Sequence, residues 1–256
     1  MDRSKILYAV TCLLAGFLIG FVFANKVNRR ELDGLRAEVS RARANSVQRP
    51  AATKTEEQAT TAGAVGTLSG EEIRQAIASA DARPGDIYLQ RNLGQALYRY
   101  ASQTQDAPYL PDVARLLKRA YDANPDDRQT TLMLAAVLFD VGRKSDPASF
   151  RQARLYYQKA LEMQPRDVDA RTELGLTYFL GQPSDPERAI AEYRKALAIE
   201  PRHELTLQNL ASALLATGRR AEAEQVMNEL EHVNSTNPAL PALRSQLTQS
   251  GRPGRE

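Results

Sequence analysis

The chain has no tryptophan, a single cysteine and two histidines among its 256 residues. Cys12 cannot close an internal disulfide, and His203 and His232, far apart in sequence, come with no evident set of metal-ligating partners. Both histidines are expected as exposed helix-end residues. Also missing are a phosphate-cradling glycine loop ending in Lys-Ser or Lys-Thr, a Gly-x-Ser-x-Gly elbow, a His-Glu-x-x-His pair and a Cys-x-x-Cys-His haem attachment. Carboxylates are plentiful, but they sit among lysines and arginines on helix faces expected to point outward, so no catalytic pair emerges. No catalytic residue, cofactor-binding residue or metal ligand is assigned, no cofactor is implied, and the expectation is a protein that binds and is not an enzyme.

A concentrated basic face is lacking as well. Residues 1–50 hold nine basic and four acidic side chains, a balance of +5, which leaves −2 for the rest of a chain whose net charge is +3. Phosphate backbones select dense positive charge, so a slightly acidic remainder excludes nucleic acid as the expected partner.

Uninterrupted apolar runs are absent but for one. Ile6 to Ala24 contains no charged residue and is flanked by charges. At about 1.5 Å per residue it approaches the roughly 30 Å of bilayer hydrocarbon, which predicts one membrane-spanning helix over 6–24 behind a short tail at 1–5. A cleaved secretory signal is the alternative, with Val22-Phe23-Ala24 as its cleavage site, although the run exceeds the usual signal core. Ala9-Val10-Thr11 is a poor lipoprotein lead into Cys12. The expected location is the bacterial inner membrane, crossed once. Arg3 and Lys5 before the span against Lys26, Arg29, Arg30 and Arg36 after it favour a cytoplasmic bulk domain, while a short basic N-terminal tail favours a periplasmic one. The side stays open.

Residues 25–44 read as a basic juxtamembrane helix, able to meet anionic headgroups. Leu32, Leu35, Val39 and Ala42 alternate spacings of three and four, the pattern of a short two-stranded coil, but Gly34 and fewer than three heptads weaken it; homodimerisation stays open. Residues 45–69 turn to Ala, Thr, Gly, Ser and Gln with Pro50, the composition of a flexible linker.

What the remainder does contain is a repeat. Between Ala170 and Pro201 the chain runs Leu174-Gly175, Tyr178, Ala189, Tyr193, Ala196, Pro201. Upstream stand Leu93, Gly94, Leu97, Val113, Leu117, Ala120, Pro125 and then Leu134, Ala135, Leu138, Ala153, Tyr157, Ala160, Pro165. Downstream stand Leu210, Ala211, Leu214, Ala223, Met227 and Leu230, with Ser235 in place of the closing proline. Spacings of i, i+4 and i+7 put each set on one helical face, the small residues let two antiparallel helices approach, and proline ends the second.

This order of large, small, aromatic and proline resembles the tetratricopeptide repeat (TPR) family, whose unit of about 34 residues is a helix-turn-helix. The chain is thus identified as a membrane-anchored member. The resemblance implies an all-α fold, a right-handed solenoid of helix hairpins, over about 70–249: a half-unit at 70–84, repeats at about 87–127, 128–167, 168–203 and 204–237, and a capping helix at 238–249, with a polar tail at 250–256. Small-to-small spacings of 19, 18, 14 and 12 residues, against about 12 in the family, imply that the first three turns are lengthened. Asp106-Ala107-Pro108, Ser145-Asp146-Pro147 and Ser184-Asp185-Pro186 supply helix-start chemistry there, and the insertions offer a second contact edge.

The resemblance also implies a concave groove lined by the first helix of each unit, receiving a peptide or helix of a protein partner. By register its lining is Arg91, Gln95 and Tyr98, then Leu132, Ala136 and Phe139, then Thr172, Leu176 and Phe179, then Gln208, Ser212 and Leu215. Some members bind chaperone C-terminal carboxylates through Lys, Arg and Asn at these positions; only Arg91 fits here, so the expected ligand is apolar or amphipathic. The expected role is a membrane-tethered scaffold in assembly of a membrane or envelope complex. Two alternatives stand beside it: a factor holding an apocytochrome, as similar modules of bacterial cytochrome c maturation proteins do, and a self-assembling structural membrane protein.

Overall fold

The computed structural model of the chain describes residues 68–103 and 107–249. The expected span at 6–24, the juxtamembrane stretch, the linker as far as residue 67 and the tail at 250–256 lie outside the described residues. Among the described residues no helix is long and apolar enough to cross a membrane. Their regular structure is helical throughout, in ten helices. The chain divides at residues 104 and 105 into two compact units, described separately.

In the first unit, α1 (Gly70–Asp81) packs on α2 (Ile87–Gln103). Ser69 starts α1 through a reciprocal capping box: its hydroxyl accepts from the Glu72 amide at 3.2 Å, and the Glu72 carboxylate accepts from the Ser69 amide at 2.8 Å. Ile73, Ala76, Ile77 and Ala80 form the buried stripe of α1, and Leu93, Gly94 and Leu97 that of α2. Gln90 is fully buried without an unpaired amide, because its Nε2 donates to the carbonyls of Ala80 at 2.8 Å and Arg83 at 3.0 Å. Those carbonyls lie at the end of α1 and in the turn that follows it.

The second unit holds α3 (Leu110–Ala123), α4 (Arg128–Lys144), α5 (Ser149–Met163), α6 (Val168–Leu180), α7 (Pro186–Ile199), α8 (Glu204–Ala216), α9 (Arg220–Val233) and α10 (Leu240–Gln249). α4 with α5, α6 with α7 and α8 with α9 are hairpins, and each hairpin docks on the next through α5 against α6 and α7 against α8. The first helices α4, α6 and α8 also touch in succession, whereas the backbones of α5, α7 and α9 do not approach one another. The stack therefore closes on its first-helix side and opens on its second-helix side.

Local chemistry sets the helix starts. Asp127, two residues after Pro125, caps α4 by accepting from the Gln129 and Thr130 amides; Asp167, two after Pro165, caps α6 through Ala170. Asp185 caps α7, with Pro186 at its first position. At the second hairpin Asp146 accepts from the Ala148 amide at 3.1 Å and from the Ser149 hydroxyl at 3.0 Å, so α5 begins two residues beyond the expected Pro147. The extra length in that hairpin lies in helix more than in turn: α4 has 17 residues where α6 and α8 have 13, because nothing in Val137 to Lys144 breaks it and Arg143 and Lys144 favour its C-terminal dipole. The last hairpin turn is short, and Gly218 at φ 73° lets the Gly218 and Arg219 amides reach back to Leu215 and Leu214.

The stripes meet between paired helices. Ala153, Tyr157 and Ala160 on α5, Ala189, Tyr193 and Ala196 on α7, and Ala223, Met227 and Leu230 on α9 are all buried. At the C-terminal end, Leu240 and Leu243 of α10 join Leu207, Ala211, Met227 and Leu230 in one cluster, with Leu215 and Leu247 packed on its margin. Tyr193 is fully buried, and among the described residues its hydroxyl meets no hydrogen-bond partner. Burial first, and the negative charge of Glu173 second, hold that hydroxyl well above the usual phenol range. An orphaned buried hydroxyl costs about 1–3 kcal/mol. Tyr193→Phe, which removes that cost and keeps the ring, is expected to stabilise the domain by about 1 kcal/mol in denaturant unfolding; a loss of stability would show that the hydroxyl is satisfied.

Candidate functional site

Nine of the twelve expected lining positions lie on the first helices α4, α6 and α8. Leu132 and Ala136 on α4, Leu176 and Phe179 on α6, and Gln208 and Ser212 on α8 are half-buried, on helices that contact one another in succession. Arg91, Gln95 and Tyr98 are half-buried on α2 of the other unit.

Two expected lining residues are buried, and a third packs partly on a neighbouring cluster. Phe139 is buried and meets Phe150 of α5 edge-on, with centroids 5.4 Å apart, because α4 continues straight past it and turns that face onto its own hairpin partner. Thr172 is fully buried: its hydroxyl donates to the Val168 carbonyl at 2.8 Å and lies 2.6 Å from the Thr206 hydroxyl of α8. Leu215 packs on the terminal cluster under α10.

The Thr172–Thr206 contact belongs to a polar chain missed at the level of sequence. Thr206 lies 2.6 Å from Nδ1 of His203, whose Nε2 is 3.2 Å from Asp169 on α6. His203 is a helix-end residue, the N-cap position of α8, but its side chain is only 18% exposed, so it is a bridge between hairpins and not a solvated end. Asp169 and Thr172, three apart on one helix, and His203 and Thr206, three apart at the start of the next, were the available signal.

Glu173 is the other departure from outward-facing carboxylates. Half-buried on α6, its carboxyl is pushed up to about 7, first by burial and then by Asp140 and Asp169, with Arg143 opposing. Arg143 is held 3.6 Å from Asp140 and relieves the cluster only in part. Charge also pins the stack elsewhere: Arg128 pairs with Asp167 between neighbouring hairpins, and Arg171 with Glu192 at 2.9 Å within the α6–α7 hairpin.

Two hollows lie outside the groove positions. One, of about 460 Å³, opens on the second-helix side: Leu134, Leu138 and Val141 of α4 form its floor, and Arg115, Lys118 and Tyr156 stand on the flanking α3 and α5. The other, of about 450 Å³, lies at the hairpin edge between the start of α5 and the turn into α7, where the insertions fall. Among the described residues no group of three or more His, Cys, Asp and Glu side chains is placed to hold a metal ion.

Residues 182–247 match the family described as tetratricopeptide repeat. A curated relative, a probable biofilm formation methyltransferase, WspC, of Pseudomonas putida, is 32% identical over 90 residues, which are 35% of this chain and 21% of that protein. The chain thus spans about a fifth of that relative's length. Among solved structures, MamA aligns at 20% identity with a TM-score of 0.51, covering 64% of this chain and 87% of that one. YrrB, a TPR protein with an unusual peptide-binding site, aligns at 12% identity with a TM-score of 0.54, covering 68% and 82%. At these identities the structures bear on the fold.

Proposed function

Because its hairpins are tetratricopeptide repeats, we propose that this chain is a membrane-tethered scaffold whose first-helix side holds an apolar or amphipathic segment of a protein partner. The observation that supports the reading is the succession of α4, α6 and α8, first helices that contact one another in turn and carry the half-buried Leu132, Ala136, Leu176 and Phe179. Apolar side chains left partly open on a rigid face can each lose more water to an inserted helix or strand. YrrB, described as having a peptide-binding site, supports this use of the fold. A scaffold needs no reacting group, consistent with the lack of catalytic motifs in the sequence.

The tether in this proposal is the 6–24 segment, with 45–69 spacing the repeats from a bacterial inner membrane. Removing residues 6–24 should release the protein from membranes into the soluble fraction; persistence with the membrane would refute the anchor. Protease digestion of intact spheroplasts assigns the side, since a protected domain is cytoplasmic and a digested one periplasmic.

Replacing Leu132 and Leu176 by aspartate should abolish co-purification of the partner, a loss of at least about a hundredfold given two buried charges in an apolar contact. Both positions are partly open, so the helical circular dichroism and melting curve should stay near wild type. Unchanged capture by a folded variant would refute binding on this side.

A further inference from the structure

We propose that the hollow at the hairpin edge is a binding site for a phosphate monoester, held by the guanidinium groups of Arg151, Arg154 and Arg188. All three line the same cavity of about 450 Å³, a size within the range of small-ligand sites. Its lining lies wholly within residues 147–188 and includes none of the proposed groove residues.

Arg154 is fixed in place before any ligand arrives. Its Cζ sits 4.2 Å from the centroid of the Tyr178 ring, its Nη2 donates to the Thr177 carbonyl at 3.1 Å, and its Nε is buried with no acceptor. Gly181 closes in on the other side: a Cβ there would lie 2.9 Å from Nη2 of Arg154 and 2.6 Å from the Thr177 carbonyl oxygen. Arg188 approaches the same Tyr178 ring from α7, with Cζ 5.8 Å from the centroid. Arg151 stands one turn before Arg154 on α5, is exposed, and makes no ion pair among the described residues.

The compensating charge is incomplete. One carboxylate, Asp185, lines the cavity; it lies 3.2 Å from Nε of Arg188 and accepts the Arg188 amide at 3.1 Å as the cap of α7. Three cations against one anion leave an excess of two positive charges. Burial chiefly holds the Arg154 guanidinium below its ordinary value; Tyr178 opposes the shift, and the nearby Arg188 and Arg151 add to it. A carboxylate ligand would neutralise half of this excess. A phosphate monoester, carrying about −1.5 to −2 at neutral pH and three acceptor oxygens, neutralises nearly all of it and matches the planar donor forks of arginine.

The test is calorimetric titration of the full-length chain at low ionic strength with three probes: inorganic phosphate, a phosphoserine peptide with uncharged flanks, and acetate. Saturable binding of a phosphate probe is expected, at least about tenfold tighter than acetate and weakened by salt. Tighter binding of the peptide than of inorganic phosphate would assign the group to a modified protein, and the reverse to a free small molecule. The double variant Arg151→Gln, Arg188→Gln should bind on the order of a hundredfold more weakly, at an unchanged melting temperature because both side chains are exposed. Should the double variant melt lower, Arg151→Gln alone, which breaks no ion pair, should still cost about tenfold. Absence of saturable phosphate binding, equal affinity for acetate, or full retention of phosphate affinity in the folded variants would overturn the proposal.

Discussion

Gly175→Ala is expected to destabilise the repeat domain by about 2 kcal/mol, although alanine is the better helix former by up to about 1 kcal/mol. The reason lies across the hairpin. A Cβ on Gly175 would stand 2.5 Å from Cε1 and 2.8 Å from Cδ1 of Tyr193, distances at which the ring must move. Tyr193 is fully buried and is no loose side-chain end that can swing into solvent. Either α6 and α7 separate, losing packing along both stripes, or the ring leaves its rotamer; overpacking of this kind costs typically about 1–3 kcal/mol. For a domain of this size, 2 kcal/mol corresponds to a melting temperature lower by about 4–8 °C. Combining the change with Tyr193→Leu should make the added methyl cheaper than it is in wild type. Strictly additive losses, or a Gly175→Ala protein that melts at or above wild type, would show that this close approach is not what the glycine serves.

Glu173→Gln is expected to act in the opposite direction, by an amount that grows as pH rises above about 4.5 and is complete above about 7. The native state holds the Glu173 proton to about 7, the unfolded chain only to about 4.5. The folded state therefore binds the proton more tightly, so the stability this group contributes is fully present below about 4.5 and is lost as pH rises through about 7. The full loss is at most about 3 kcal/mol, and partial access to water brings it nearer 2. Glutamine keeps the shape and carries no charge to desolvate beside Asp140 and Asp169. The variant should match wild type at pH 4.5 and exceed it by about 2 kcal/mol at pH 8 in denaturant titrations, the gap opening between those values. A gap that does not change with pH would mean that Glu173 holds its proton no more tightly in the native state than in the unfolded chain. Since Glu173 and Leu176 lie three residues apart on α6, the same titration changes the charge beside the proposed apolar groove.

Much of the architecture was legible because it rests on short-range rules. Spacings such as Ala189, Tyr193, Ala196 mark a buried stripe from periodicity alone, and Asp185 before Pro186 marks a helix start from local hydrogen bonding. Where the reading stopped short, the missing information was distance between helices. The wide spacing from Ala135 to Ala153 looked like a longer turn, but extra residues inserted between two positions serve equally as helix, and α4 took them up as helix. Phe139 and Thr172 stood in groove register, yet the face a helix turns to its neighbours depends on how hairpins dock, and both went inward. Arg151 and Arg154 are three apart on one helix, but nothing in their spacing points to Arg188, which comes from a helix of a different hairpin.

The sequence by itself determined the class of fold: a tandem array of helix hairpins, because helical periodicity, small-residue stripes and closing residues are properties of neighbouring positions on one chain. Only the tertiary structure decided which of those residues remain open to a ligand and which titrate abnormally. Exposure, charge crowding and the 2.5 Å approach of Tyr193 to Gly175 arise from groups distant in sequence, brought together when one hairpin packs on the next.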